Sequence, residues 1–258
     1  MVRNSLLAAL LVAALVPVTM WAQNSQAKTP SFINPKILGS ANQRNGNPAT
    51  APSYCNPCLF YGGDWDPNSS VWVAYANWDT TALGQATVYV PFLVPTGKTW
   101  TVTGLFTNDL ALNISGIDPQ TAAWAITSGV SKGIGGTTVA SGTAAATFNP
   151  TGRNYQNTYY EYTTLVNIPA VTLQSGIYWL SVVPPCTNSS DSACGSAAYY
   201  ITDSTSRTNE VGNPEPAHRS FTNSATFGYN YINLCSPTEG YFPPSCSVMS
   251  GGVIGTSN

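Results

Sequence analysis

The sequence predicts an all-β chain: a single antiparallel β-sandwich, jelly-roll-like, stapled by local disulfides. Three observations carry this. Segments of five to ten residues alternate apolar and polar side chains with a period of two, the signature of half-buried strands. Gly, Pro, Asn or Asp bound nearly all of them. No stretch of a dozen residues shows an apolar stripe of helical period with a cap, so helices do not alternate with the strands as a parallel sheet would require.

Taken in chain order, Val71 to Trp78 sets Trp72, Ala74, Ala76 and Trp78 against Val71, Val73 and Tyr75. Thr87 to Val94 places Val88, Val90, Phe92 and Val94 on one side. Thr99 to Thr103 points Trp100 and Val102 inward and its three threonines outward. Ala123 to Thr127 carries Trp124 and Ile126. Tyr159 to Ile168 and Ile177 to Val183 are dense in Tyr, Thr, Val and Ile, residues that fit a pleated surface. Tyr199 to Ile201, Thr226 to Leu234 and Ser247 to Ile254 complete the set. Ala122–Ala125 and Ala144–Ala146 are the two patches that lean towards helix. About nine short strands in roughly 200 residues suit one sandwich rather than two domains.

The first residues predict export. Arg3 precedes an unbroken apolar run from Leu6 to Val16, and Ala22 stands before Gln23. A basic start, an apolar segment of about ten residues and a small residue at the cut describe a secretory signal peptide, residues 1–22. The run is short for a bilayer span of about 20 residues, and no later segment approaches one, so no membrane span is expected after cleavage. Residues 23–53, rich in Asn, Gln, Ser, Pro and Ala, read as a flexible leader with too little apolar surface to offset ordering. The folded domain is then 54–258, in a secreted, extracellular protein.

Only 8% of the residues are charged, against about 25% in an average soluble domain. The net charge is −2, and the nine Lys and Arg are scattered. A nucleic-acid partner needs a clustered basic face, so none is expected. Six cysteines fall into three local pairs: Cys55 with Cys58, Cys186 with Cys194, and Cys235 with Cys246. Six cysteines allow 15 connectivities; local pairing is preferred because each pair sits in a Pro-, Ser- or Asn-rich turn. Oxidation suits an exported chain. A zinc site at Cys55-Asn-Pro-Cys58 would need a second close pair, and the chain has one histidine, His218.

One stretch carries a family pattern: Trp124-Ala-Ile126, the Gly-rich turn, Thr137 to Gly142, the strand around Tyr160-Glu-Tyr162, and Val171-Thr-Leu-Gln-Ser-Gly-Ile-Tyr-Trp-Leu-Ser-Val182. Phe221 to Gly228 and Ser250 to Gly255 close it. Over residues 60 to 258 this resembles the exported β-sandwich domains of environmental bacteria, many of which carry a PEP-CTERM sorting tail. The resemblance implies a jelly-roll-like sandwich, export and no catalytic residues, with Gly176 making the turn into a core strand. The chain departs from the pattern at Ile254 to Asn258, which lacks a Pro-Glu-Pro motif, so anchoring through such a tail is not expected.

Three clusters invite a function. Asp64, Asp66 and Asn68, two residues apart, place oxygens that can converge on Ca²⁺; the same residues also suit a turn into the next strand. The loop from Asp203 to Arg219 gathers Arg207, Glu210, Glu215 and His218 in a chain otherwise poor in charge. Trp65 and Trp78 adjoin turn residues and are expected to be exposed, where an indole face can stack on a sugar. The reading is a non-catalytic binding or structural module that takes polysaccharide or cell-surface glycan and needs no cofactor, Ca²⁺ at Asp64, Asp66 and Asn68 being the one candidate. The alternatives are a secreted glycan hydrolase using the 203–219 carboxylates and a self-assembling matrix protein. Oligomeric state stays open.

Overall fold

The computed structural model describes residues 52–65, 74–80, 84–112, 120–155, 157, 159–185, 199–202, 210–212, 219–225, 228–234 and 249–258. The predicted signal peptide and nearly all of the predicted leader lie outside them. Thirteen strands follow one another: β1 (Cys58–Tyr61), β2 (Ala74–Ala76), β3 (Trp78–Thr80), β4 (Gly84–Val94) and β5 (Trp100–Leu112). Then come β6 (Thr121–Ser128), β7 (Thr137–Tyr155), β8 (Tyr159–Leu173), β9 (Gly176–Val183) and β10 (Tyr199–Thr202). The last are β11 (Phe221–Ser224), β12 (Tyr229–Asn233) and β13 (Gly251–Ser257). No described residue is helical, and the strand ladders are antiparallel.

The two faces of the sandwich belong to one continuous sheet. Its order is β1-β13-β5-β8-β7-β6-β9-β4-β11-β12, with β10 joining β5 to β2 and β3 lying on β4. The sheet curls into a half-barrel. β7 is the strand that turns the corner: residues 137–145 pair with β6, and residues 146–155 pair with β8. A strand shared by two layers needs small side chains at the bend. Ala140, Gly142, Ala144, Ala145 and Ala146 supply them, and a Cβ on Gly142 would stand 3.3 Å from the Trp124 indole.

The alanine patches that lean towards helix are strand: Ala122–Ala125 lies in β6 and Ala144–Ala146 in β7. Alanine's helix preference amounts to less than about 1 kcal/mol per residue, and ladder pairing with core burial overrides it. The predicted strand ending at Trp78 is interrupted. Asn77 leaves the ladder between β2 and β3, and its buried side chain bonds instead across the core.

The predicted inward residues are where alternation puts them. Val88, Val90, Phe92 and Val94 are fully buried, against Trp100, Val102 and Leu105 of β5. Leu180 and Val182 of β9, Val166 of β8 and Val253 of β13 complete this core. Each such side chain contributes about 1.5–3 kcal/mol by leaving water. Phe92 lies parallel to Trp100, with ring centroids 6.0 Å apart. Gly176, at φ 155°, opens β9, with two residues between it and the end of β8.

The opposite face of β5 is covered by the segment before β1. Phe106 packs with Tyr61 and Cys55, and Tyr54 meets the Phe106 ring edge-on at 5.1 Å. The predicted Cys55–Cys58 disulfide closes this segment. Cys186, Cys194, Cys235 and Cys246 lie outside the described residues.

Gly255 marks the closest approach between β13 and β5. A Cβ there would lie 2.1 Å from the Thr101 carbonyl oxygen and 3.0 Å from the Val102 Cα. Both are backbone atoms and cannot rotate away. Gly255→Ala should therefore lower stability by about 1–3 kcal/mol, read as a lower denaturant midpoint; an unchanged midpoint would show that the two strands can part freely.

Candidate functional site

Four charged side chains, Asp64, Asp109, Arg153 and Glu161, gather where β5, β7 and β8 run together. β5 alternates strictly here: Phe106, Asn108 and Leu110 face the β1 segment, while Thr107 and Asp109 face the sandwich core. Opposite them on β8, Thr163 pairs with Asn108 and Thr164 with Thr107. Two polar clusters result, one on each side of the sheet.

The first cluster contains the ion pairs. Glu161 is fully buried; its Oε2 accepts from Arg153 Nε at 2.5 Å and from Thr151 Oγ1 at 2.7 Å. The Arg153 guanidinium also lies 3.1 Å from Asp64 Oδ1, which accepts the Tyr61 hydroxyl at 2.5 Å. Asn108 extends the network, donating to Tyr61 Oη at 2.9 Å and Ser250 Oγ at 2.8 Å. Its Oδ1 accepts from Thr163 at 2.7 Å and from Tyr54 at 3.2 Å. Burial pushes the Tyr54 phenol up to about 12, and burial together with Asp64 holds Tyr61 well above its ordinary value. Both phenols are thus neutral donors. Burial pulls the Arg153 guanidinium down, but Glu161, Tyr61 and Asp64 outweigh it and raise it. The arrangement is a closed knot: one guanidinium pairs with both carboxylates.

The second cluster is centred on Asp109, fully buried. Asn77 Nδ2 donates to its Oδ1 at 3.0 Å; Thr107 and Thr164 hydroxyls donate to Oδ2 at 2.7 and 3.1 Å. Asn77 also donates to the Val182 carbonyl at 2.8 Å and accepts from Val88 N–H at 3.3 Å. One amide thus ties β4, β5 and β9 together. Burial raises the Asp109 carboxyl to about 7, against the opposing pull of its three hydrogen bonds.

The residues singled out in the sequence are placed differently from expectation. Trp65 and Trp78 are buried, at 1% and 2% exposure, so neither presents a face for a sugar. Trp78 stands opposite Ala86 in the β3–β4 ladder, on the face that also carries Val88 and Val90. Trp65 follows Asp64, whose ion pair with Arg153 holds the segment against the sheet. Of the three proposed Ca²⁺ ligands, Asp66 and Asn68 lie outside the described residues. Asp64 is engaged by Tyr61 and Arg153. Among the described residues no three His, Cys, Asp or Glu side chains cluster as a metal site.

Of the 203–219 loop, Arg207, Glu215 and His218 lie outside the described residues. Glu210 is half-buried beside Val211, whose backbone bonds reciprocally to Tyr61 at 2.9 and 3.0 Å. The Arg219 carbonyl accepts from Trp179 Nε1 at 3.0 Å.

Half-exposed aromatic side chains sit elsewhere, on the β7–β8 ribbon. Phe148 and Tyr162 stack with centroids 4.2 Å apart and planes 12° from parallel. Tyr160 follows on the same side of β8, and all three are half-buried. No protein-family model, curated protein or solved structure matches this chain.

Proposed function

We propose that the chain is an exported, non-catalytic β-sandwich module that binds glycan through the aromatic side chains of its β7–β8 ribbon. Export rests on the basic start and the apolar run from Leu6 to Val16. The observation that carries the binding reading is the group Phe148, Tyr160 and Tyr162 on one side of two paired strands. Rigid, half-exposed rings supply large contact area at little conformational cost. The apolar face of a pyranose is a chemical match for such a surface. The carboxylates Asp64, Glu161 and Asp109 support the non-catalytic part, because each is engaged by neighbouring donors within the fold.

The test incubates purified mature protein with a panel of insoluble polysaccharides and measures the protein that pellets. Selective pelleting with one polymer is expected, weakened about tenfold by Tyr162→Ala or Tyr160→Ala, the loss of about 1.4 kcal/mol of stacking. Retention of full binding by both variants would move the site off the ribbon. Failure of every polymer to pellet the protein would end the glycan reading, and release of soluble sugar would favour a hydrolase.

A further inference from the structure

The corner strand β7 has one side that no described strand covers. Residues 140–145 pair with β6 in regular register, from Ala140 opposite Ile126 to Ala145 opposite Thr121. Pairing with β8 begins only at Ala146. Among the described residues the backbone groups on that second side of 140–145 therefore form an open edge, and Ser141, Gly142 and Thr143 are exposed. Open edges are templates for another strand, and proteins usually guard them with charge or proline. Here, between Ile134 and Phe148, there is neither a charged residue nor a proline. A bulge at Val139 bounds the open segment on one side. Val139 and Ile134, the large apolar side chains most exposed among the described residues, at 42% and 58%, lie just beyond it.

The segment Ala140-Ser-Gly-Thr-Ala144 has nearly the same chemistry read in either direction. We infer that this edge is a docking surface for a second copy of the chain, which adds antiparallel about a two-fold axis at Gly142. A two-fold perpendicular to a sheet keeps the faces of both copies aligned, so residues whose numbers sum to 284 stand opposite. Gly142 then faces Gly142 of the second copy, with no side chain between the backbones. Ser141 faces Thr143 on the solvent side, where two hydroxyls can hydrogen-bond across the strands. Ala140 faces Ala144 on the core side. No like charges meet anywhere along the edge, and the sheet continues through both molecules.

The surface is short, so the dimer should depend on concentration. Sedimentation velocity on the mature chain from about 10 μM to about 1 mM should show a shift from monomer to dimer, a range suited to a small transient interface. Ser141→Lys with Thr143→Lys sets lysine opposite lysine twice and should hold the protein monomeric. Ser141→Lys with Thr143→Glu sets lysine opposite glutamate in this register and should restore the dimer. Both positions are exposed, so thermal midpoints should stay close to that of the parent. A parent that stays monomeric throughout overturns the inference, including the case in which residues 23–53 of the same chain cover the edge. Equal dimerisation of the Lys/Lys variant also overturns it. Polysaccharide pelleting does not read this equilibrium, so the glycan proposal and this one fail separately.

Discussion

Arg153→Met should lower the folding free energy by about 3–5 kcal/mol, the range for stripping one partner from a buried ion pair. The guanidinium stands between two carboxylates, Glu161 at 2.5 Å and Asp64 at 3.1 Å. Glu161 is fully buried, so replacing Arg153 takes away the guanidinium that balances its charge. The methionine fills a similar volume, which confines the effect to charge rather than to a cavity. Removing the stranded charge as well, in Arg153→Met with Glu161→Gln, should recover a large part of the loss. An amide can still accept the Thr151 hydroxyl that now donates to Glu161. Chemical denaturation of the parent, the single variant and the double variant measures both steps. A single variant within about 1 kcal/mol of the parent would mean that water reaches Glu161 and that the knot is solvated.

That knot could not be read from spacing, yet it left a trace in the sequence. In a chain with 8% charged residues, Asp109 and Glu161 stand inside apolar or aromatic strand segments, Leu105 to Ala111 and Tyr159 to Tyr162. A charge in such a place needs a partner. Which partner is a question of register: Arg153 reaches Glu161 only because β7 doubles back on β8, bringing Tyr155 opposite Tyr159. Asp64 joins from nearly a hundred residues away. Turn residues beside Trp65 and Trp78 signal exposure in the sequence, yet both indoles are buried, because neighbours in the chain do not fix what packs over a side chain.

Strands that alternate large apolar with polar side chains were legible, as with Val88 to Val94. β7 was not, although at 19 residues it is the longest strand described. Its corner position demands alanine, glycine, serine and threonine, which carry little periodic signal and mimic a loop or a helix. β1 and β11 are four residues each, too short for a period of two to declare itself. The same small residues that hid β7 are those that leave its edge without a guard.

Asp109 should make the fold less stable as the pH rises from about 4 to about 7. Its folded-state value is raised to about 7, while the unfolded carboxyl titrates near 3.9. Between these values the folded chain holds a proton that the unfolded chain has released, so stability falls with rising pH. The contribution is fully present below about pH 4 and lost on passing pH 7, on the order of 4 kcal/mol in all. The surroundings accommodate both states. Ionised, Asp109 Oδ2 accepts from Thr107 and Thr164. Protonated, it donates to Thr107 Oγ1, and the Thr107 hydroxyl turns to the Val182 carbonyl, 3.4 Å away. Asp109→Asn imitates the protonated form at every pH: its carbonyl accepts from Asn77 and its amide donates to Thr107. The variant should therefore be more stable than the parent at pH 8, and the difference should vanish towards pH 4. The two proteins differ in this one side chain, so subtracting the two stability curves isolates Asp109. A difference that stays flat with pH, or an asparagine variant less stable at pH 8, would show that Asp109 is ionised in the fold and held by its three donors.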